Sequence, residues 1–332
     1  MDRIRKLPDL LLPWFAAHKR DLPWRKDRQP YHVWLSEIML QQTRVEAVKG
    51  YYQRFLETLP NIPSLAQAEE TLLLKLWEGL GYYSRVRNLQ KAAKEIMELG
   101  GFPTEYGEIL RLSGIGPYTA GAIASICFEQ PTPAVDGNVI RVLSRLQCRT
   151  MERKEAEELL RPVYPQGQCG DFTQALMELG ATVCAPNGAP HCEVCPLQEL
   201  CKAKAEGCQQ AYPEKKVKKP RRVEQRSVLI LRCGDKLALC KRPNKGLLAG
   251  LWQFPDTEGR LEAEQAIALA EQWGVEPTSI EKTVERQHIF THVEWHLRGI
   301  YLRCRTEAKF QWFTEEEIQQ QIGLPTAYRQ FL

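Results

Sequence analysis

Four cysteines within eighteen residues carry the clearest chemistry in this chain. They are spaced Cys184-x7-Cys192-x2-Cys195-x5-Cys201, and four thiolates at such spacing converge on one metal centre. Zinc and a four-iron cluster both accept four thiolates, and the spacing does not choose between them. Cys208 lies just beyond the set, while Cys127, Cys148, Cys169, Cys233, Cys240 and Cys304 are scattered and read as buried small hydrophobes.

A second signal is the run Leu112-Ser-Gly-Ile-Gly-Pro-Tyr118-Thr-Ala-Gly-Ala122. Gly114 and Gly116 allow a tight turn and close approach of a partner. A helix opening at Pro117 presents free N–H groups and a positive dipole end, a setting for a phosphate. A plain turn between two core helices reads equally well from this stretch alone.

Two carboxylates sit in contrasting settings. Glu37 lies among Trp34, Leu35, Ile38, Met39 and Leu40. Burial there would raise its pKa and let it hold a proton near neutrality; the alternative is a glutamate on the wet side of an amphipathic helix. Asp136, in Val135-Asp-Gly-Asn138, starts a further helix as its N-cap, and a carboxylate accepting helix N–H bonds tends to stay ionised.

The elements that must position these groups fall into two halves. Residues 1 to about 210 read as helical: Val33-Trp34-Leu35-Ile38-Met39, Leu72-Leu73-Leu76-Trp77-Leu80 and Leu89-Ala92-Ala93-Ile96-Met97 repeat at helical spacing between Gly and Pro breakers. Residues 211–224 combine six Lys or Arg with Pro213 and Pro220 and read as an extended basic linker. From residue 225 to 332 the pattern is mixed. Two strands flank Gly234-Asp235, a helix is expected over Leu261 to Trp273, a half-buried strand runs from Val293 to Tyr301, and Glu315 to Ile322 is helical.

Length allows two or three domains with full cores. A net charge of +4 on 332 residues permits a basic face but excludes a general basic coat. No apolar run approaches a membrane span, and the N-terminus lacks a signal-peptide h-region, so a soluble, cytoplasmic protein with no membrane partner is expected. Eleven cysteines in a reducing compartment favour metal ligation over disulfides.

Glycine hairpin, aspartate and cysteine loop, in that order, resemble the helix-hairpin-helix DNA glycosylase superfamily, and within it the family of A/G-specific adenine DNA glycosylases. The matching motifs are Leu22-Pro-Trp24-Arg25, Trp34-Leu-Ser-Glu37-Ile-Met-Leu-Gln41-Gln42-Thr43, Gly79-Leu-Gly81-Tyr82-Tyr83-Ser-Arg85, Gly114-Ile-Gly116-Pro-Tyr118-Thr-Ala120 and Val135-Asp136-Gly-Asn138-Val. The resemblance implies a multidomain protein. An all-α helix-hairpin-helix glycosylase domain would bear the four-cysteine loop, with residues 1–28 and 137–210 as the cluster-bearing subdomain and 29–136 as a six-helix subdomain. An α+β Nudix-like domain would follow at 225–332. It implies a [4Fe-4S] cluster on Cys184, Cys192, Cys195 and Cys201. It also implies double-stranded DNA containing adenine opposite 8-oxoguanine or guanine as the substrate, and so a monomer associated with the nucleoid through DNA.

Roles follow from the same resemblance. Glu37 is the acid that protonates adenine N7, Asp136 stabilises or captures the sugar cation, and Asn138 orients the arrangement. Tyr118 replaces the lysine of bifunctional relatives, so no efficient lyase step is expected, and it is placed to hydrogen-bond near Asp136. Base flipping is required. Gln42 and Tyr82 match wedge residues, while Leu22, Trp24, Arg25, Val45 and Gln174 match the adenine pocket. Gly114 and Gly116 would hold a DNA backbone. Arg20, Arg25, Arg85, Arg87, Arg141 and Arg145 are candidate phosphate contacts, or else solvated arginines. Phe290-Thr291-His292 matches the 8-oxoguanine recognition loop.

Two departures from the family pattern stand out. Seven residues, not six, separate the first two cluster cysteines, with His191 at the expected ligand position. The helix ending at Trp273 has Ile267, Ala268 and Gln272 where a Nudix hydrolase needs charge, leaving Glu271 too isolated to hold Mg²⁺.

Overall fold

The computed structural model describes residues 2–214 and 220–332. Residues 215–219, the middle of the basic stretch, lie outside the described residues. Two compact units result. One holds the described residues up to 67 and from 88 to 214; the other holds 68–87 and 220–332.

The first unit is helical throughout. Its long helices are Leu7–His18, Pro30–Leu40, Val45–Thr58, Ser84–Glu98 (from residue 88 onward in this unit), Pro117–Phe128, Gly137–Gln147 and Cys169–Thr182. Chemistry-bearing helices start from local signals: Pro30 and Pro117 occupy first turns, where a missing N–H costs nothing. Asp136 caps the third, accepting from Val139 N–H at 2.8 Å. Leu7, Leu11 and Phe15 of the first helix pack with Val139, Leu143, Phe172 and Leu176. One apolar core therefore joins the chain's start to the Gly137–Gln147 and Cys169–Thr182 helices.

Close backbone approach explains the small residues. Gly114 has φ +76°, and a Cβ there would lie 2.6 Å from Asn88 Cβ. A Cβ on Gly180 would meet Asn138 Cβ at 2.5 Å. Glycine is thus what lets the Cys169–Thr182 helix seat against the residue two after the aspartate cap.

In the second unit a mixed sheet runs in the order β3-β2-β1-β6-β5, with β4 pairing β1 and β7 pairing β2. The strands are β1 (Arg222–Cys233), β2 (Lys236–Lys241), β3 (Trp252–Gln253), β4 (Asp256–Glu258), β5 (Pro277–Ile289), β6 (Val293–Cys304) and β7 (Gln311–Thr314). β1 and β6 are parallel. Their alternate side chains feed two cores: Val228, Ile230, Trp295 and Leu297 face Tyr328 and Phe331, whereas Leu229, Leu231, Ile300 and Leu302 face the Ala263–Gln272 helix. The expected hairpin is present, with Cys233 opposite Lys236 across Gly234-Asp235.

Two features depart from the sequence expectation. β1 begins at Arg222, inside the stretch read as linker, because residues 222–224 pair with β6. β5 is thirteen residues long yet mostly exposed, so it carries none of the apolar alternation that marks a half-buried strand. Residues 68–87 fold with the sheet domain through buried polar contacts. Lys75 Nζ donates to the Ile322 carbonyl at 3.1 Å, and Glu78 accepts from Leu324 N–H at 3.0 Å and pairs with Arg329 at 3.0 Å.

Candidate active site

In the helical unit a cavity of about 610 Å³ gathers residues from six α-helices and the loops beside them. Glu37, Tyr118, Asp136, Asn138, Gln174 and Glu178 line it, together with Arg20, Leu22, Trp24, Arg25, Gln42 and Val45. Every residue expected for catalysis or for the adenine pocket is therefore in one cavity.

Glu37 is 6 % exposed. Burial pushes its carboxyl up to about 7; the nearby Asp136 adds to the shift, while the Tyr118 hydrogen bond and Arg25 work against it. Tyr118 donates to Glu37 Oε2 at 2.6 Å. The tyrosine thus serves Glu37 rather than Asp136, the partner expected from sequence.

Asp136 is held on both oxygens, by Val139 N–H at 2.8 Å and by the Asn138 amide at 2.7 Å. Burial still outweighs these donors and raises its pKa, so capping alone does not set its charge. Asn138 is fixed in turn, accepting from Arg141 Nη2 at 2.7 Å.

Arg141 and Arg145 were candidate phosphate contacts. Both are buried, and that reading is corrected. Arg141 donates to the Cys184 and Gly180 carbonyls at 2.7 and 2.6 Å. Arg145 donates to the Ala185 and Tyr212 carbonyls at 3.0 Å and to Cys184 Sγ at 3.2 Å. They brace the cysteine loop because its irregular backbone leaves carbonyls without helix partners.

Glu178 was missed. Its fully buried carboxylate takes a fork from Arg20 (2.7 and 2.9 Å) and a bond from Arg25 (2.8 Å). Burial alone would raise its pKa; the two guanidiniums overcome that and hold it at about 2. The available signal was its place four residues after Gln174, on the same helix face. Met177, 3.9 Å from the Tyr118 hydroxyl through Sδ, lines the cavity from the position before Glu178.

Cys184, Cys192, Cys195 and Cys201 come close enough to act on one another's thiols electrostatically. His191 turns outward and lies 3.6 Å from Glu193. Of the scattered cysteines read as buried, Cys127, Cys148, Cys233 and Cys240 are only half-buried, unlike the core thiols Cys169 and Cys304.

The second unit has its own cavity, of about 510 Å³. Its lining includes Gly81, Tyr82, Leu248, Phe290, Thr291 and His292. The Tyr82 and Thr291 hydroxyls are hydrogen-bonded. Phe290 packs edge-on against Trp295 at 4.9 Å. Tyr82 has φ +47°, an uncommon backbone for a bulky residue, and Gln42 in the first unit has φ +58°. Arg85 donates to the Leu80 and Gly81 carbonyls, and Arg87 to Glu70 and the Ala249 carbonyl.

Residues 35–166 match the HhH-GPD superfamily of base excision DNA repair proteins, and 227–332 match a NUDIX domain. The adenine DNA glycosylase of Rattus norvegicus is 36% identical, the match covering 93% of this chain and 74% of that protein. The chain belongs to the adenine DNA glycosylases. The Buchnera aphidicola (Acyrthosiphon pisum) family member is 32% identical over 97% of this chain and 95% of its own. Among solved structures, a thermostable thymine-DNA glycosylase superposes with a TM-score of 0.57 at 29% identity, covering 62% of this chain and 98% of that one. As an adenine DNA glycosylase of base excision repair, the protein has Glu37, Asp136 and the cavity they line in its helical unit, and its C-terminal domain is Nudix-like. Among the described residues, no helix is long and apolar enough to cross a membrane.

Proposed function

We propose that this glycosylase removes adenine paired with 8-oxoguanine or guanine in duplex DNA, without strand cleavage. The observation that carries the mechanism is the buried Glu37, pushed up to about 7 in a cavity it shares with Asp136. Adenine flips out of the stack into that cavity. Glu37 passes its proton to N7 as the bond between C1′ and N9 breaks, the electron pair leaving with the base. Asp136 faces the resulting sugar cation and stabilises or captures it. Water then adds at C1′ and returns a proton to Glu37.

Tyr118 supplies a phenol where an imine-forming amine would be needed for a lyase, which supports a monofunctional reaction. Gly114, Gly116 and the uncapped N–H groups of the Pro117–Phe128 helix suit a DNA phosphate. Gln42 and Tyr82 serve as wedges. The second cavity, with the Thr291 hydroxyl, His292 and the Phe290 and Tyr82 rings, recognises the base opposite adenine.

Cys184, Cys192, Cys195 and Cys201 are assigned a [4Fe-4S] cluster. The four thiols lie close enough to act on one another electrostatically, and the Arg145 guanidinium beside Cys184 Sγ suits a thiolate ligand. The choice of an iron–sulfur cluster over zinc rests on the family to which the chain belongs. Such a cluster would tie the cysteine loop to the helix that Asp136 caps.

One duplex assay tests the reading. Adenine opposite 8-oxoguanine should yield free adenine and no strand break before alkali. Release equal opposite thymine, or breaks that trap with borohydride, would overturn it. Iron and sulfide analysis tests the cluster; stoichiometric zinc without sulfide would refute it.

A further inference from the structure

Cys148 and Cys208, sixty residues apart in sequence, place their sulfurs 3.1 Å from each other. Glu206 Oε2 lies 3.2 Å from Cys148 Sγ and 4.0 Å from Cys208 Sγ. All three ligand atoms fall within 4.8 Å of one another. The arrangement is built by helix ends. Cys148 terminates the Gly137–Gln147 helix in the left-handed region (φ 57°), where a side chain is uncommon. Cys208 follows the Lys202–Ala205 turn, its N–H donating to the Ala203 carbonyl at 2.9 Å. Two thiols and a carboxylate are thus held within reach of a single cation.

We propose that Cys148, Cys208 and Glu206 form a second metal site, for a single Zn²⁺, distinct from the four-cysteine loop. Two thiolates and a carboxylate are a zinc donor set. Binding displaces two thiol protons to solvent and involves no electron transfer. The sulfurs must open to about 3.8 Å around a tetrahedral ion, a rotation available to side chains that are half-buried and reachable from solvent. The fourth position falls to water or the nearby Tyr212 hydroxyl, whose proton affinity Cys148 already raises. The site would fasten the C-terminal end of the helix whose N-terminal end is Asp136 to the segment that follows the cysteine loop.

The test uses the full chain with the iron it carries. After incubation with Zn²⁺ under reducing conditions and exhaustive dialysis, metal analysis should find one zinc per chain. X-ray absorption should give about two sulfur neighbours near 2.3 Å. A Cys148→Ser, Cys208→Ser double variant should retain none, with iron content unchanged. Should that variant lose iron as well, Glu206→Gln decides: zinc affinity should fall by about 10-fold or more at full iron content. Zinc absent from the native chain, zinc retained equally by the variants, or a Cys148–Cys208 disulfide in the native chain under the same reducing conditions would each overturn the proposal.

Discussion

Tyr118 and Glu37 are eighty-one residues apart and share a 2.6 Å hydrogen bond, the phenol donating to Oε2. The bond favours the ionised carboxylate and so lowers the Glu37 pKa, against the larger effect of burial. A glycosylase acid must be protonated to act, so single-turnover adenine release should decline above an apparent pKa near 7. In Tyr118→Phe this alkaline limb should move to higher pH. A limb that stays in place would separate the tyrosine from proton control.

Glu37→Gln should reduce excision by about 10²–10⁴-fold while leaving affinity for mispaired duplex largely intact. Its stability effect has a defined sign. The folded pKa of about 7 lies above the unfolded value of 4.5, so native Glu37 costs nothing below about pH 4.5. The cost grows as pH rises to about 7 and is constant beyond. The variant should therefore be more stable than the parent at pH 8, by up to about 3 kcal/mol, and not at pH 4. Denaturant midpoints at the two pH values measure this.

Asp136 has two duties that substitution can part. Asn keeps an acceptor for Val139 N–H but loses the one for the Asn138 amide, so Asp136→Asn should lose excision and less stability than Asp136→Ala. Asp136→Ala should lose excision and also about 1 kcal/mol of stability. Equal stability in the two variants would mean the cap contributes little.

Gly114→Ala places a Cβ 2.6 Å from Asn88 Cβ on a backbone at φ +76°. A cost of about 1–3 kcal/mol is expected, together with weaker binding to undamaged duplex. Pairing the change with Asn88→Gly should recover the steric part only.

Glu178→Gln would strand Arg25, which is largely buried, and Arg20, which is about a third exposed. Destabilisation of about 2–3 kcal/mol is expected. The native advantage is complete above about pH 4.5 and disappears as pH falls towards 2, the folded pKa. Parent and variant should therefore converge in strongly acidic buffer.

Much of this molecule was legible in its sequence because the decisive signals are local. The glycine turn needs Gly114 at positive φ, the Gly137–Gln147 helix needs an acceptor at Asp136, and four thiols need only be near in chain. Nudix-type burial of β1 and β6 is written in their apolar runs. β5 left no such mark, since an exposed edge imposes no alternation.

What only the tertiary structure decided is the state of the charged groups, because that depends on partners far away in sequence. Glu37 sits in an apolar run, yet its pKa is set by burial together with Tyr118, Asp136 and Arg25. Arg141 and Arg145 look like any surface arginines of a DNA-binding helix until the cysteine loop closes over them. Glu178 becomes an anchor once Arg20 and Arg25 arrive from the other end of the unit, and Cys148 becomes a ligand candidate once Cys208 folds against it. Residue type and spacing determine which helices and turns form; desolvation and charge pairing, which set reactivity, exist only after those elements pack.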